Sequence, residues 1–254
     1  MAIYAMTGGA TGIGAAIKQQ LRDAGHELIV VDIKDADILA DLSTTEGRDS
    51  AVAGIIERSP HGLDGFVACA GLGPAAPAPL LLQVNYFGAK ATLEGLREHL
   101  AKKQGSAVLI GSNSGAMPHF DQAKIDAMLA DDEAHACALA EKSNHGQLAY
   151  LSSKRAITQW MRRNATAFAR AGVRLNAVAP GFTQTPLTDA AKADPELAQS
   201  MAQFERSIPL GRAGQPEDIA NAVGFLLSEQ SAFVQGSVLF VDGGSDAMIR
   251  PDQF

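Results

Sequence analysis

Cysteine is scarce in this chain of 254 residues: Cys69 and Cys137 are the only two, and no Cys-x2-Cys pair occurs, which excludes a disulfide framework. The six histidines, His26, His61, His99, His119, His135 and His145, fall at no ligand-like spacing, so no metal is expected. Basic residues do not dominate: 21 Lys and Arg against 28 Asp and Glu leave a net charge of −7, which argues against a nucleic-acid surface. No apolar run approaches the ~20 residues needed to span a membrane, and no basic segment followed by an apolar one opens the chain. A cytoplasmic location is therefore expected. Linkers, charge blocks, low-complexity tracts and internal repeats are also missing, and the length suits one large α/β domain. A hydrophobic share of 46% with 19% charged residues is that of an ordinary globular core.

What is present is organised around AIYAMTGGATGIGAAIKQQL at 2–21. Residues 2–6 suit a buried strand, while Ile13, Ala16, Ile17 and Leu21 recur at roughly helical spacing, placing Gly8, Gly12 and Gly14 in the intervening turn. Glycines permit a sharp turn and close approach of a ligand, and free N–H groups opening a helix attract an anion such as a pyrophosphate. The spacing Gly-x3-Gly-x-Gly is a relative of the dinucleotide fingerprint, and a ligand-free tight connection would use the same residues. Glu27–Val31 reads as a second strand ending at Asp32. A carboxylate there can accept from an adenosine ribose and repels a 2′-phosphate, which favours NAD over NADP. An aspartate that merely ends a strand is the plainer reading, and Lys34 lies nearby.

Further along, Ile38–Ala40, Asp64–Ala68, Ala107–Ile110, Val173–Val178 and Ser237–Val241 read as strands. Helices are expected over about 45–58, 80–100, 148–171 and 215–228. Seven short apolar strands separated by helices predict a doubly wound, Rossmann-type parallel sheet with helices on both faces in a single domain. Sites in such sheets gather beyond the carboxyl ends of strands, where Gly8, Asp32, Asp41, Gly71, Ser112 and Pro180 fall. Residues 116–146 interrupt the alternation as one or two short amphipathic helices, with Ile125, Met128 and Leu129 on one face and Ala136, Leu139 and Ala140 on another. This segment reads as an added cap or an interface. Residues 182–210 read as a long connection.

Tyr150 and Lys154 lie four apart on one predicted helix and so share a face. A neighbouring ammonium and a positively charged nicotinamide both favour phenolate, and a tyrosine so lowered can exchange a proton with an alcohol or carbonyl oxygen while hydride moves to or from the ring. Ser112, beyond a strand end, can hold the same oxygen, and Asn85 can orient a water that links Lys154 to solvent. Taken singly, each has a bland alternative in a helix surface or a turn.

Together, TGGATGIG at 7–14, VNYFG at 84–88, Ser112, YLSSK at 150–154, NAVAPG at 176–181 and FVDGG at 240–244 resemble the ordered motifs of the short-chain dehydrogenase/reductase family, over nearly the whole chain. The resemblance implies that Asn85, Ser112, Tyr150 and Lys154 take the family's catalytic roles, with Tyr150 the acid/base and Lys154 also bonding the nicotinamide ribose. It implies Gly8, Thr11, Gly12 and Ile13 along the pyrophosphate, Asp32 at the adenosine ribose, and Asp41 with Leu42 at the adenine. Ala70, Gly71 and Pro180 would pass along the cofactor, with Thr183 and Thr185 near its carboxamide and phosphate. Cys69 stands where the family usually has Asn, a departure with an expected structural consequence. An apolar strand would raise the pKa of this thiol, which argues against a reactive role. The 38-residue separation of Ser112 and Tyr150 is longer than most members show. With DLSTTEGR at 41–48, ACAGLGP at 68–74 and the C-terminal DAMIRPDQF, the chain is similar to the bacterial 3α-hydroxysteroid dehydrogenase/carbonyl reductase subgroup, which implies a homodimer.

The expected activity is NAD(H)-dependent interconversion of a small hydrophobic secondary alcohol and its ketone, a 3-hydroxysteroid first, with a coniferyl-type aromatic alcohol as the alternative substrate. A non-catalytic dinucleotide-binding regulator is the alternative of another class, and it would be expected to lack Tyr150 or Lys154. Phe182, Pro186, Leu187, Met201 and Phe204 are placed to close over an apolar ligand or to pack within a lid.

Overall fold

The computed structural model describes residues 1–193 and 198–253. Ile3–Thr7 (β1) leads through the glycine turn into Gly12–Asp23 (α1), followed by Glu27–Asp32 (β2), Ile38–Leu39 (β3) and Thr45–Arg58 (α2). Gly65–Ala68 (β4) precedes Ala78–Leu82 (α3), a π-helical turn at Gln83–Gly88 and Ala89–Ala101 (α4). Ser106–Ile110 (β5) runs into a 3-10 turn at Asn113–Ala116, then Gln122–Leu129 (α5), Glu133–Ser143 (α6) and the long Gly146–Arg170 (α7). Arg174–Pro180 (β6), Pro186–Ala193 (α8), Ala198–Ser207 (α9), Pro216–Leu227 (α10), Val238–Val241 (β7) and Ser245–Ile249 (α11) complete the described chain.

The strands form one parallel sheet in the order β3-β2-β1-β4-β5-β6-β7. Strand alternation sends neighbouring side chains to opposite faces, and each face carries its own core. Ala5, Ile29, Val31, Phe66, Ala68, Leu109 and Leu175 pack toward α2, α4 and α7. Tyr4, Met6, Leu28, Val30, Val67, Val108 and Val178 pack toward α1 and α10. The order reverses between β1 and β4, which opens a crevice at their carboxyl ends.

Three expectations change in detail. The single helix expected over about 80–100 contains the π-helical turn at Gln83–Gly88, which carries Asn85. Gly88 in that turn lies so close to Leu42 that a Cβ would sit 3.0 Å from the Leu42 Cβ. Strand β6 continues past Val178 through Pro180, because Ala179 and Pro180 pair with Phe240 and Val241 of β7. The stretch 182–210, expected as a connection, contains α8 and α9, joined by a Lys192–Glu205 ion pair at 2.8 Å. Phe182 packs there with Ile208, Ala213, Met201 and Phe204. The Leu187 side chain lies outside the described residues.

The inserted segment forms α5 and α6, with Ile125, Met128, Ala136 and Ala140 buried. Asp121 and Asp132 cap these helices by accepting from Lys124 N at 3.2 Å and His135 N at 3.0 Å. Helix α5 lies on α7 and α6 on α3.

Candidate active site

A cleft of about 550 Å³ opens at the carboxyl ends of the strands, beside the crossover between β1 and β4. Of the residues singled out in the sequence, Gly8, Thr11, Gly12, Ile13, Asp32, Asp41, Leu42, Ala70, Gly71, Ser112, Tyr150, Lys154, Pro180, Thr183 and Thr185 all line it. Asn85 does not, and neither does any residue of 116–146. The inserted segment is therefore no cap over this cleft.

The glycine end is built for close approach. Gly8 has φ +76°, and a Cβ there would lie 2.6 Å from the backbone of Ala70. A Cβ on Gly14 would lie 1.7 Å from the Gly8 carbonyl oxygen, so α1 starts directly against the turn. Thr11 precedes α1 in an extended conformation without a side-chain cap, leaving the opening N–H groups of the helix to a ligand. The Asp32 carboxylate braces this loop: Oδ2 accepts from Gly9 N at 2.9 Å and Ala10 N at 3.0 Å, and Oδ1 from Ile33 N at 2.7 Å. Thr7, with no role in the sequence reading, ties β1 to the end of β4, its Oγ1 accepting from Cys69 N and Ala70 N at 3.2 Å each. The brace beside Cys69 thus comes from a hydroxyl on the neighbouring strand. Burial pushes the Cys69 thiol up to about 12, the direction expected for an inert cysteine.

At the other end of the cleft a hydroxyl group of three residues gathers. The Ser114 hydroxyl donates to Ser112 Oγ at 2.8 Å, and both hydroxyls lie beside the Tyr150 phenol, where each opposes the effect of burial on it. Ser114 was missed because its partner is 36 residues away in sequence on α7; the serine-rich turn 112–115 was the available signal.

Lys154 is 6% exposed, donates to the Ile110 carbonyl at 3.1 Å, and holds Nζ 6.0 Å from the Tyr150 ring centre. Burial lowers its pKa to about 8. The expected lowering of the phenol joins the ammonium to a positively charged nicotinamide; among the chain's own groups the balance runs the other way. Burial raises the Tyr150 pKa, and the opposing pull comes from Ser112 and Ser114, since Lys154 is itself desolvated and turned to the strand end.

Asn85 acts on the loop between these two ends. Its Oδ1 accepts from Leu72 N at 2.8 Å, and its Nδ2 donates to Leu72 O at 3.0 Å and to Ser153 Oγ at 3.4 Å. A Cβ on Gly71 would lie 3.2 Å from Asn85 Oδ1 and 3.6 Å from Lys154 Nζ, so the glycine lets carboxamide and ammonium flank one backbone.

On the far wall, Thr183 Oγ1 donates to Gly181 O at 3.1 Å, and Thr185 N donates to Thr188 Oγ1 at 2.8 Å, opening α8. Thr188 also lines the cleft and was missed; the pattern Thr185-x-x-Thr188 before a helix was its signal. Pro186 lines the cleft too, whereas Phe182, Met201 and Phe204 do not.

The arrangement pairs a cradle for an anionic, flat-ringed ligand with a phenol, a hydroxyl and an ammonium at one end. That set can bind an alcohol or carbonyl oxygen and exchange its proton.

Comparison with known proteins agrees with this geometry. The profile described as short chain dehydrogenase matches residues 2–124, and one described as Enoyl-(Acyl carrier protein) reductase matches residues 134–246. The chain is 42% identical over 259 residues to the 3-alpha-hydroxysteroid dehydrogenase/carbonyl reductase of Comamonas testosteroni, covering 100% of both chains. It is 33% identical to an acetoacetyl-CoA reductase of Synechocystis, with 95% of each covered. The crystal structure of the 3-alpha-hydroxysteroid dehydrogenase from Pseudomonas sp. B-0831, complexed with NADH, superposes with a TM-score of 0.96 at 48% identity, covering 99% of this chain and 100% of that one. Full-length identity at this level, on a parallel sheet whose strand ends form the cleft, makes the chain a member of the short-chain dehydrogenase/reductase family.

Proposed function

We propose that this chain is an NAD(H)-dependent oxidoreductase that interconverts a secondary alcohol and its ketone, with a 3α-hydroxysteroid as substrate, and that it works in the cytoplasm as a homodimer. The observation that carries the reading is the meeting of Tyr150, Ser112 and Lys154 at one end of a cleft whose other end is a glycine cradle. The residues present fit a dinucleotide: glycine at 8 and 14 lets the turn pack against Ala70 and against itself with no side chain in the way, α1 opens without a side-chain cap, and the Asp32 carboxylate stands at the end of β2. Gly8, Thr11, Gly12 and Ile13 would hold the pyrophosphate, Asp32 the adenosine ribose, Asp41 and Leu42 the adenine, and Thr183 and Thr185 the nicotinamide side. When bound, the nicotinamide supplies or accepts the hydride.

The chain's own residues handle the proton. Tyr150 takes it from the alcohol in oxidation and returns it in reduction, while the Ser112 hydroxyl holds the same oxygen as its charge changes. Ser114 donates to Ser112 and keeps that hydroxyl aimed. Lys154, its Nζ 6.0 Å from the Tyr150 ring centre, would bond the nicotinamide ribose and, together with the positive charge of the nicotinamide, favour phenolate. Asn85 holds the Leu72 backbone beside Lys154, where it would orient a water that passes the proton outward.

The steroid reading is supported by what the Comamonas and Pseudomonas relatives are named for. A dimer is supported by the resemblance to a subgroup in which the extra segment lies across helix faces that other members use to form tetramers; here α5 and α6 cover α7 and α3. The reading is tested by NAD-linked oxidation of a 3α-hydroxysteroid, coniferyl alcohol and a simple cyclic alcohol. The steroid is expected to turn over fastest; equal, negligible rates on steroid and coniferyl alcohol would remove both as substrates.

A further inference from the structure

Arg48 is a buried cation that the chemistry above leaves unused. It stands on α2 with its side chain 7% exposed and serves three separate segments. Its Nε donates to Leu42 O at 2.8 Å, and Nη2 donates to Ser43 O at 3.0 Å and Gln83 O at 3.2 Å. Both terminal nitrogens also pair with Glu133, Nη1 to Oε2 at 2.6 Å and Nη2 to Oε1 at 2.8 Å. Leu42 belongs to the wall of the cleft, Gln83 opens the π-helical turn that carries Asn85, and Glu133 is the first residue of α6 in the inserted segment.

The wall's other bonds are short-range: Ser43 N donates to Asp41 Oδ1 at 2.9 Å, and Thr44 N and Oγ1 donate to Asp41 O at 3.2 Å and 3.1 Å. A Cβ on Gly47 would lie 1.9 Å from Asp41 O, and one on Gly88 3.1 Å from Leu42 O, so two helices press on the loop by contact while Arg48 supplies directed bonds. A planar guanidinium with five N–H donors suits this task, provided its charge is matched. The Glu133 carboxylate matches it; without that partner a nearly buried cation is left uncompensated and turns toward water, releasing Leu42 and Ser43.

We propose that Arg48 and Glu133 are a positioning pair through which the inserted helix α6 fixes the Asp41–Leu42 wall, and so sets the affinity of the chain for the adenosine half of its dinucleotide. This rests on the cofactor reading given above. The inserted segment contributes no residue to the cleft, yet it reaches the cleft's wall through one ion pair.

The test is calorimetric titration of NADH, adenosine monophosphate and reduced nicotinamide mononucleotide into the parent, Glu133→Gln, Glu133→Ala and Arg48→Met proteins. Glu133→Gln keeps the shape of the side chain and carries the test should Arg48→Met fail to fold. Affinity for NADH and adenosine monophosphate is expected to fall together by about five- to twentyfold in the Glu133 variants, with the mononucleotide unaffected. In turnover, KM for NAD should rise while KM for the alcohol stays unchanged. Unchanged NADH affinity, or equal losses for adenosine monophosphate and the nicotinamide mononucleotide, would overturn the pairing's role. Failure of the parent to bind NADH would instead remove the cofactor reading, and this inference with it.

Discussion

The carboxamide of Asn85 grips the backbone of Leu72 from both sides, accepting from its N–H at 2.8 Å and donating to its carbonyl at 3.0 Å. Asn85 is 1% exposed, so removing the carboxamide leaves buried backbone groups unpaired. Asn85→Leu is expected to lower stability by about 2 kcal/mol and to reduce kcat/KM at least tenfold, because the loop carrying Gly71 loosens beside Lys154. Denaturant unfolding and steady-state kinetics on the same preparation check both parts; full activity with lowered stability would reduce Asn85 to a structural residue.

Tyr150→Phe removes the one phenol of the cleft and keeps its packing. Oxidation is expected to fall by about 10²-fold or more, while NADH binding measured by titration persists. Undiminished oxidation would show that the proton leaves by another route.

The two serines oppose the effect of burial on Tyr150. Ser114→Ala withdraws one of these two hydroxyls from the phenolate, so the Tyr150 pKa rises further. Since oxidation needs the phenolate, the rising limb of its pH–rate profile should move to higher pH, and at neutral pH reduction should suffer less than oxidation. A profile unmoved in Ser114→Ala would exclude Ser114 from tuning the phenol.

Lys154 carries a folded-state pKa of about 8 against an ordinary 10.5. Between those values the unfolded chain holds a proton that the folded chain has lost, so stability due to this group rises with pH across about 8 to 10.5 and is lowest below 8. Lys154→Met should therefore unfold at higher denaturant concentration than the parent at pH 7, by about 2 kcal/mol after the lost bond to Ile110 O is counted, with activity abolished. The advantage should shrink as pH approaches the upper value. A variant less stable than the parent at neutral pH would mean that the cation is well solvated in the fold.

Gly14→Ala tests the cradle. The added methyl would meet the Gly8 carbonyl at 1.7 Å, so the start of α1 must shift away from the turn. NADH binding is expected to be lost, and the melting temperature to fall. Retained binding would indicate that the α1 N–H groups are not where the phosphates sit.

Much of the molecule was legible from its amino-acid order. Strand alternation, helical spacing and the glycine turn are local, short-range signals, and they were enough for a parallel doubly wound sheet in one domain. Residues placed just after strands were also legible as cleft residues, because parallel strands all end on one side: Gly8, Asp32, Gly71, Ser112 and Pro180 came together for that reason. Helix spacing put Tyr150 and Lys154 on one face, and the family resemblance gave them their roles.

Distant partners were beyond that reach. Thr7 on Cys69 and Ala70, Ser114 beside Tyr150, and Arg48 between Gln83 and Glu133 join residues tens of positions apart, and no periodicity encodes which of them meet. The direction of the Tyr150 shift was likewise decided by folding, since desolvation depends on how much of the chain surrounds a group and outweighed the opposing pull of Ser112 and Ser114. The sequence by itself determined which chemical groups exist and on which elements they ride. Only tertiary structure decided which of them are dry, which are braced and which face the cleft, because burial and hydrogen bonding are properties of the packed whole.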